Sequence, residues 1–188
     1  GTSGIGLALA SYYYLQGNRV GVCGRDLQKL ADESRFEKYQ ADVSNIVQLQ
    51  NVIQQFVDER TLSLLINCAG SYAEDVADDI SYEEAVAMLQ TNIMGAVNCL
   101  EVGRKAMCHT GGQIVLLASI SGILDYPESS LYTKTKRSVL QIADAYRRAL
   151  RPLGICITSI APGYVATQKL HDLNQNDLSK KPFVVSEA

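Results

Sequence analysis

The chain has 188 residues, 47% of them hydrophobic, which is enough to bury the core of one domain and argues against disorder. Its net charge of -3, without any run of Lys or Arg, gives no electrostatic basis for binding nucleic acid or an anionic membrane. No uncharged apolar run reaches the roughly 18 residues that a bilayer span requires, and the N-terminus lacks the form of a signal peptide. We therefore expect a cytoplasmic protein in which residues 1–188 form one domain.

The cysteines indicate a reducing compartment rather than a disulfide framework. None of the five shows C-x-x-C spacing, and most stand in apolar stretches such as VGVCG and LINCAG. Buried free thiols are therefore expected instead of disulfides or a metal site. The five are Cys23, Cys68, Cys99, Cys108 and Cys156.

Short apolar runs alternate with longer amphipathic segments along the chain. The runs are RVGVCG, FEKYQADV, LSLLINCAG, GGQIVLLAS and LGICITSIAPG, and each precedes a helical pattern. This βαβ rhythm predicts an α/β fold, a doubly wound parallel sheet with helices on both faces.

Three helices are predicted from their patterns and boundaries. Residues 44–58 carry an apolar stripe made of Val47, Leu49, Val52, Ile53, Phe56 and Val57. Ser81 and Glu84 form a capping box that begins a helix running to about residue 107, with Gly103 tolerated inside it. The third helix covers residues 129–150 and is closed by Arg151-Pro152 and Gly154.

The two ends of the chain are unusual for such a fold. The glycine-rich segment 1–6 opens directly into a helical pattern, although a turn of this kind normally follows a buried strand. Residues 171–182 are polar and predict a loop, and the final VVSEA predicts the start of a helix. We expect an interior piece of a longer chain, with its first strand and its C-terminal end missing.

The glycine-rich turn has the composition of a phosphate-binding site. Gly4 and Gly6 would let the chain approach a dinucleotide pyrophosphate at a helix N-terminus, although a tight turn or a helix cap would use the same residues. The next predicted strand ends in Gly24-Arg25-Asp26, where such sheets read the adenosine ribose. Arg25 can pair with a 2′-phosphate, which favours NADP. NAD stays possible because Asp26 is adjacent and an acidic residue at the strand end would favour NAD. Asp26 could instead pair with Arg25 or cap the following helix. Arg25 as an ordinary surface residue is the alternative.

Four residues further along indicate proton transfer. Tyr132 and Lys136 are spaced i,i+4, which places a phenol and an ammonium on one helix face. Ser119 precedes Tyr132 by thirteen positions, and Asn92 lies in the predicted helix that begins with the Ser81–Glu84 capping box. Each has an ordinary alternative: a helix-face aromatic for Tyr132, a strand end for Ser119, with Ser121 as a close competitor, and a buried structural hydrogen bond for Asn92.

With the glycine turn, Asn67-Cys68-Ala69-Gly70, the four residues above and Pro162-Gly163 all in order, the chain resembles the short-chain dehydrogenase/reductase family in its classical NAD(P)-dependent branch. The resemblance covers almost the whole chain and implies a Rossmann-like three-layer α/β/α fold. Two departures stand out. The first glycine of the family's G-x-x-x-G-x-G would precede Gly1, and Cys68 replaces the second asparagine of N-N-A-G.

The resemblance also implies which residues contact the cofactor. Asp42-Val43 would touch the adenine and Pro162-Gly163 with Thr167 the carboxamide; alternatively, Asp42 caps the next helix and Pro162-Gly163 is only a turn. The full implied set is Thr2, Ser3, Gly4, Ile5, Gly6, Arg25, Asp42, Val43, Asn67, Ala69, Gly70, Tyr132, Lys136, Pro162, Gly163, Val165 and Thr167.

The implied activity is hydride transfer between a nicotinamide and a small-molecule carbonyl or alcohol. Tyr132 would be the general acid/base, with Lys136 and the positive nicotinamide favouring its phenolate. Lys136 would also hold the nicotinamide ribose, Ser119 the substrate oxygen, and Asn92 a water that links Lys136 to solvent. Lys134 should point elsewhere on the helix.

Two other function classes compete with this one. A non-catalytic NADP-binding regulator or sensor would keep the fold and lose the tyrosine or the lysine, and both are present. An epimerase or dehydratase of nucleotide sugars would carry a large C-terminal domain. By the resemblance, Tyr126, Tyr164 and Leu170 line the substrate site, and helices 82–107 and 129–150 pair in a homodimer or homotetramer.

Overall fold

The computed structural model describes residues 1–72, 80–124, 130–179, 181 and 184–186. The chain divides into two compact units, which are described separately. The first comprises Gly1–Ala41 and Pro162–Ala188, and the second Asp42–Ala161. The single domain expected from the sequence stays a prediction.

The first unit is built on a two-stranded parallel sheet. Strand β1, Gly21–Gly24, pairs with β2, Glu37–Gln40, with Gly21 opposite Glu37. Helix α1, Gly4–Leu15, precedes the sheet. Its core is a small apolar cluster of Ala10, Val22, Leu30 and Phe36.

The C-terminal part of the first unit corrects two predictions. Helix α6, Gln168–Leu173, extends into the segment predicted as a loop from residue 171; the Leu170 N–H donates to the Thr167 hydroxyl at 3.2 Å and so caps the helix. Val185 forms a parallel bridge with Val165, and residues 184–186 are not helical, although the start of a helix was predicted there. The pairing of Val185 overrides the local sequence pattern at the second of these places.

The second unit is built on a three-stranded parallel sheet. Its strands are β3, Leu64–Asn67, β4, Gly112–Leu117, and β5, Ile155–Ile160, in the order β3-β4-β5. In a parallel sheet the carboxyl ends of the strands share one edge, which is where open α/β sheets place their ligand sites. The segments that follow β3 and β4 therefore begin at the same edge.

Four helices accompany this sheet: α2, Ile46–Val57; α3, Tyr82–Leu89; α4, Gly95–Met107; and α5, Leu131–Leu150. A π-helical segment, Gln90–Met94, joins α3 to α4. The buried core comprises Leu62, Ala96, Leu100, Met107, Ile114, Leu116, Ala118, Val139, Ala143, Leu150, Ile155 and Ile157. Gly103 is needed within α4, because a Cβ there would lie 2.6 Å from Ile114 Cδ1.

Most of the predicted boundaries are confirmed. The Ser81–Glu84 capping box begins α3, and Gly154, in the left-handed conformation at φ 70°, follows the end of α5. The apolar stripe of α2 is wrong at one position, since Val47 is 60% exposed while Leu49 and Val52 are buried. All five cysteines are free; Cys99 is buried and Cys156 is exposed.

Helices accompany both parallel sheets, which confirms the predicted α/β class. In the described part of the chain, no helix combines the length and the apolar character needed to cross a bilayer.

Candidate active site

Tyr132 and Lys136 lie one turn apart in α5, and the hydroxyl of its N-cap residue, Ser130, accepts from the Thr133 N–H. Lys136 is only 4% exposed, and its ammonium lies 5.7 Å from the Tyr132 ring centroid. The Lys136 ammonium donates to the Leu117 carbonyl at the end of β4, at 3.0 Å. Lys134 is exposed, as predicted. The i,i+4 pair is therefore directed inward, towards the carboxyl edge of the sheet.

Gly70 makes room for that ammonium. A Cβ at Gly70 would lie 3.3 Å from Lys136 Nζ and 3.8 Å from Asn92 Oδ1. The glycine of the Asn67-Cys68-Ala69-Gly70 segment thus allows lysine and asparagine to approach the backbone after β3.

Ser119 follows β4 and begins a short 3-10 turn, Ile120–Gly122. Its oxygen accepts from the Ser121 N–H at 3.2 Å and from the Ser121 hydroxyl at 2.9 Å. A serine hydroxyl has one donor and two acceptor sites, so the proton of Ser119 is left for another acceptor. The competition between the two serines resolves into a pair in which Ser121 supports Ser119.

Tyr132 has a raised pKa. Burial, which disfavours the phenolate, is the main cause; a hydrogen bond with Ser119 lowers the pKa in part, and the nearby Tyr72 raises it. An isolated phenol has a pKa of about 10, so Tyr132 is protonated at neutral pH in this state. That is the form needed to donate a proton to a substrate oxygen.

Asn92 lies in the π-helical segment and is 2% exposed. Its amide NH₂ donates to the Ser71 carbonyl at 2.9 Å and to Thr135 Oγ1 at 2.9 Å, and its oxygen accepts from the Ser71 N–H at 2.8 Å. Both N–H donors of the side chain are thus used within the protein, and the buried structural hydrogen bond is present. A water held by Asn92 stays a prediction.

Asn67, the last residue of β3, stabilises the turn that follows the strand. Asn67 is buried, and its side chain accepts from the Ala69 N–H at 3.0 Å. Burial raises the pKa of the Cys68 thiol, so this cysteine is protonated at neutral pH.

Side-chain hydrogen bonds also fix the turn that begins the second unit. Asp42 accepts from both the N–H and the hydroxyl of Ser44, so its carboxylate closes the turn before α2. Asn98, buried in α4, donates to the carbonyls of Val43 and Ser44. These bonds fix the backbone of the Asp42-Val43 pair.

The first unit contains the glycine turn. Gly4 has φ 51° and begins α1, and the N-cap Ser3 makes no side-chain capping bond in the described structure. The helix N-terminus thus has the features of an anion site. A Cβ at Gly24 would lie 2.6 Å from Thr2 Cγ2, so the glycine at the end of β1 is required for packing against the turn.

Arg25 and Asp26 are adjacent in the chain but make different interactions. Asp26 accepts from the Gln28 N–H at 2.8 Å and so stabilises the turn that leads into the 3-10 helix Gln28–Leu30. Arg25 is exposed. The pKa of Lys169 is lowered, mainly because burial desolvates its ammonium and secondly because of the positive charge of Arg25. The acidic neighbour is therefore engaged with backbone, while Arg25 and Lys169 supply positive charge to this unit.

The Pro162–Thr167 segment combines an open glycine with a helix cap. Apart from its chain neighbours, no atom of the described residues lies within 4 Å of the place that a Cβ would take at Gly163, so a side chain there would meet open space. Thr167 caps α6, and Val165 pairs with Val185. Of the three predicted substrate contacts, Tyr164 has the Lys181 ammonium 5.3 Å from its ring centroid and Leu170 belongs to α6; Tyr126 lies outside the described residues.

Sequence reasoning missed three residues at this site: Ser71, Tyr72 and Thr135. Tyr72 contacts the ring of Tyr132, and Thr135 accepts from Asn92 while donating to the Tyr132 carbonyl at 2.7 Å. Only their closeness in sequence to Gly70, Tyr132 and Lys136 marked them out.

The sequence profile described as "short chain dehydrogenase" matches residues 1–178. The chain belongs to this family. An uncharacterized oxidoreductase from Staphylococcus haemolyticus (strain JCSC1435) is 33% identical to this short-chain dehydrogenase over 174 residues, covering 88% of this chain and 75% of the relative. Another uncharacterized oxidoreductase, from Staphylococcus aureus (strain MW2), is 28% identical over 99% of this chain and 84% of its own.

Solved structures agree with the fold of this short-chain dehydrogenase. ElxO with NADP bound superposes with a TM-score of 0.89 at 26% identity, covering 100% of this chain and 84% of the other. A variant of ElxO with one tyrosine changed to phenylalanine, with NADPH bound, gives 0.88 at the same identity and coverage. A short-chain type dehydrogenase/reductase from Mycobacterium marinum gives 0.82 at 25% identity, over 92% of this chain and 74% of its own. The Rossmann-like fold and the oxidoreductase class predicted from the sequence are confirmed.

Proposed function

We propose that this short-chain dehydrogenase is an NADPH-preferring carbonyl reductase in which Tyr132 is the general acid. In the reverse reaction, oxidation of the corresponding alcohol, Tyr132 would be the general base. The observation that carries the proposal is the arrangement of Tyr132, Lys136 and Ser119 at the carboxyl edge of the second unit's sheet. All three groups are within one small region, and each has the chemistry its role requires.

Tyr132 would protonate the carbonyl oxygen as it gains charge. Its raised pKa keeps the proton on the phenol until that charge develops. Ser119 would donate its remaining hydroxyl hydrogen to the same oxygen, because Ser121 occupies its acceptor sites. Lys136 would stabilise the phenolate that is left behind, and its hydrogen bond to Leu117 keeps the ammonium in place.

A nicotinamide cofactor supplies or accepts the hydride when it is bound. The residues present fit such a group, since in the described part of the chain α1 begins at Gly4 without a side-chain cap and the Cβ position of Gly163 faces open space. Thr2, Ser3, Gly4, Ile5 and Gly6 would contact its pyrophosphate. The positions that would hold its other parts are Asp42, Val43, Asn67, Ala69, Gly70, Pro162, Gly163, Val165 and Thr167.

The NADPH preference rests on Arg25. Asp26, the residue that would favour a free ribose 2′-hydroxyl, already accepts from the Gln28 N–H. Arg25 is exposed and can pair with a 2′-phosphate through two parallel N–H bonds. The bound NADP and NADPH named for the two ElxO structures are consistent with this preference.

A cytoplasmic location and a homodimer or homotetramer paired through α3, α4 and α5 complete the proposal. The substrate is a small molecule with a ketone, aldehyde or secondary alcohol. Size-exclusion chromatography with light scattering tests the oligomer directly.

The deciding experiment titrates the protein with NADPH and NADH by fluorescence and then follows NADPH oxidation with a panel of ketones and aldehydes. Tyr132→Phe is the matched variant, because it keeps the ring and removes only the acid. We expect turnover to fall by about 10²–10⁴-fold in this variant while NADPH still binds. Binding by the unaltered protein without turnover of any carbonyl would instead identify a dinucleotide-binding sensor.

A further inference from the structure

Tyr72 packs directly against the proposed catalytic tyrosine. The ring centroids of Tyr72 and Tyr132 lie 5.1 Å apart, and the ring planes meet at 82°. Edge-to-face pairs of this kind are favourable beyond the area they bury. The contact joins the segment after β3 to α5, which are 60 residues apart in the chain.

The position of Tyr72 is fixed by the neighbouring hydrogen bonds. The side chain of Asn92 holds both the N–H and the carbonyl of Ser71, the residue before it. The same side chain donates to Thr135, whose hydroxyl donates to the Tyr132 carbonyl. This network therefore holds the backbone next to Tyr72 and the backbone carbonyl of Tyr132, which favours the contact between the two rings.

The contact places an apolar ring beside the proposed catalytic tyrosine. A substrate oxygen has to come within about 2.6–3.2 Å of the Tyr132 phenol to receive its proton. The groups attached to the reacting carbon then reach the surfaces that adjoin this phenol. Tyr72 is 38% exposed, so part of its ring is open to such a group.

A second apolar surface follows the serine turn. Ile123 and Leu124 come immediately after Gly122 and are both exposed. Gly122 itself packs on the backbone of α5, since a Cβ there would lie 2.8 Å from the carbonyl carbon of Lys136. Exposed apolar side chains thus continue from the turn that holds Ser119.

We propose that Tyr72 is the specificity-determining residue of this site, and that it selects substrates whose reacting carbon bears an aromatic or other flat apolar group. Such a group would lie against the Tyr72 ring while the oxygen meets Tyr132 and Ser119. This inference rests on the proposed reductase function. Tyr72 is a positioning residue, since no proton or hydride passes through it.

The test compares two ketones with the full protein and NADPH. Acetophenone carries an aromatic ring on its carbonyl carbon, and 2-butanone carries only small alkyl groups. We expect Tyr72→Ala to lower kcat/KM for acetophenone about tenfold, mainly through KM, and to change the value for 2-butanone far less. Tyr72→Phe should keep the preference, because the ring rather than the hydroxyl makes the surface.

Two further variants make the result specific. Tyr82→Ala removes a tyrosine that is 78% exposed on α3 and should leave the ratio of the two kcat/KM values unchanged. Tyr72→Leu keeps a bulky side chain in case the alanine variant does not fold, and it should also lower the ratio. Thermal melting and NADPH titration confirm folding and cofactor binding for each variant.

The outcomes separate this inference from the function it rests on. If the unaltered protein reduces both ketones and the ratio is the same in Tyr72→Ala or Tyr72→Leu, the role of Tyr72 is wrong and the reductase assignment stands. If the protein reduces no carbonyl compound, the proposed function fails and the inference fails with it.

Discussion

Asn92 binds both backbone polar groups of Ser71, a residue 21 positions earlier in the chain. Through Thr135 the same side chain reaches the helix that carries Tyr132 and Lys136. Asn92 is unfavourable within a helix by local propensity, and these bonds are the tertiary reason for its presence. It connects the segment after β3 to α5.

We expect Asn92→Ala to reduce both stability and turnover. The substitution leaves buried polar groups of Ser71 and Thr135 without their partner, at a cost of about 2–4 kcal/mol in the free energy of unfolding. It also frees Tyr72 and Tyr132 to shift, so kcat should fall. Urea denaturation and steady-state kinetics measure the two effects.

Asn98→Ala is the matched control for that experiment. Asn98 is also buried and also holds backbone carbonyls, those of Val43 and Ser44. It should destabilise the protein comparably while kcat is largely kept. Equal loss of kcat in the two variants would show that Asn92 acts only through stability.

The rate of carbonyl reduction should stay nearly constant from neutral pH into the alkaline range. Burial raises the pKa of Tyr132, so the phenol keeps its proton until the pH passes above the ordinary tyrosine value of about 10. Reduction requires the protonated form and is lost only as pH rises through this pKa; alcohol oxidation requires the phenolate and should increase with pH. Initial rates at saturating NADPH from about pH 6 to about pH 10 test this. A decline that begins near neutral pH would contradict the raised pKa of Tyr132.

Arg25→Ala should weaken NADPH binding and leave NADH binding nearly unchanged. Hydrogen bonds to charged groups contribute about 1.5–3 kcal/mol, which corresponds to a Kd for NADPH at least about tenfold higher. Fluorescence titration with both cofactors gives the comparison. Arg35→Ala serves as the control, because Arg35 is an exposed arginine of the same unit that pairs with Glu33. An unchanged ratio of the two Kd values in Arg25→Ala would remove the basis for the NADPH preference.

Gly122→Ala should destabilise the serine turn. Its Cβ would lie 2.8 Å from the carbonyl carbon of Lys136 and 2.9 Å from the amide nitrogen of Arg137, both in the α5 backbone. Backbone cannot move aside as a side-chain end can, so a cost of about 1–3 kcal/mol and a lower kcat are expected. Differential scanning calorimetry measures the stability change. For comparison, a Cβ at Gly163 would meet no atom of the described residues within 4 Å beyond its chain neighbours, so Gly163→Ala should melt like the unaltered protein. Similar melting temperatures of Gly122→Ala and Gly163→Ala would show that the serine turn shifts easily to make room for the added methyl group.

The fold class and the catalytic candidates follow from the sequence alone. Alternating apolar runs specify parallel strands and helices because burial and backbone hydrogen bonding act locally along each element. The i,i+4 spacing was enough to place Tyr132 and Lys136 on one face, since helix geometry is fixed. Ser81 and Glu84 likewise begin α3 through neighbouring groups only.

Features that depend on residues distant in the chain emerge only when it folds. The hydrogen bonds of Asn92, the contact of Tyr72 with Tyr132 and the pairing of Val165 with Val185 all follow from packing or pairing that the sequence pattern did not reveal. The raised pKa of Tyr132 is of the same kind, because desolvation depends on everything that surrounds the phenol. Spacing along a chain identifies which residues can share a face, but burial and partners across the fold determine what those residues do.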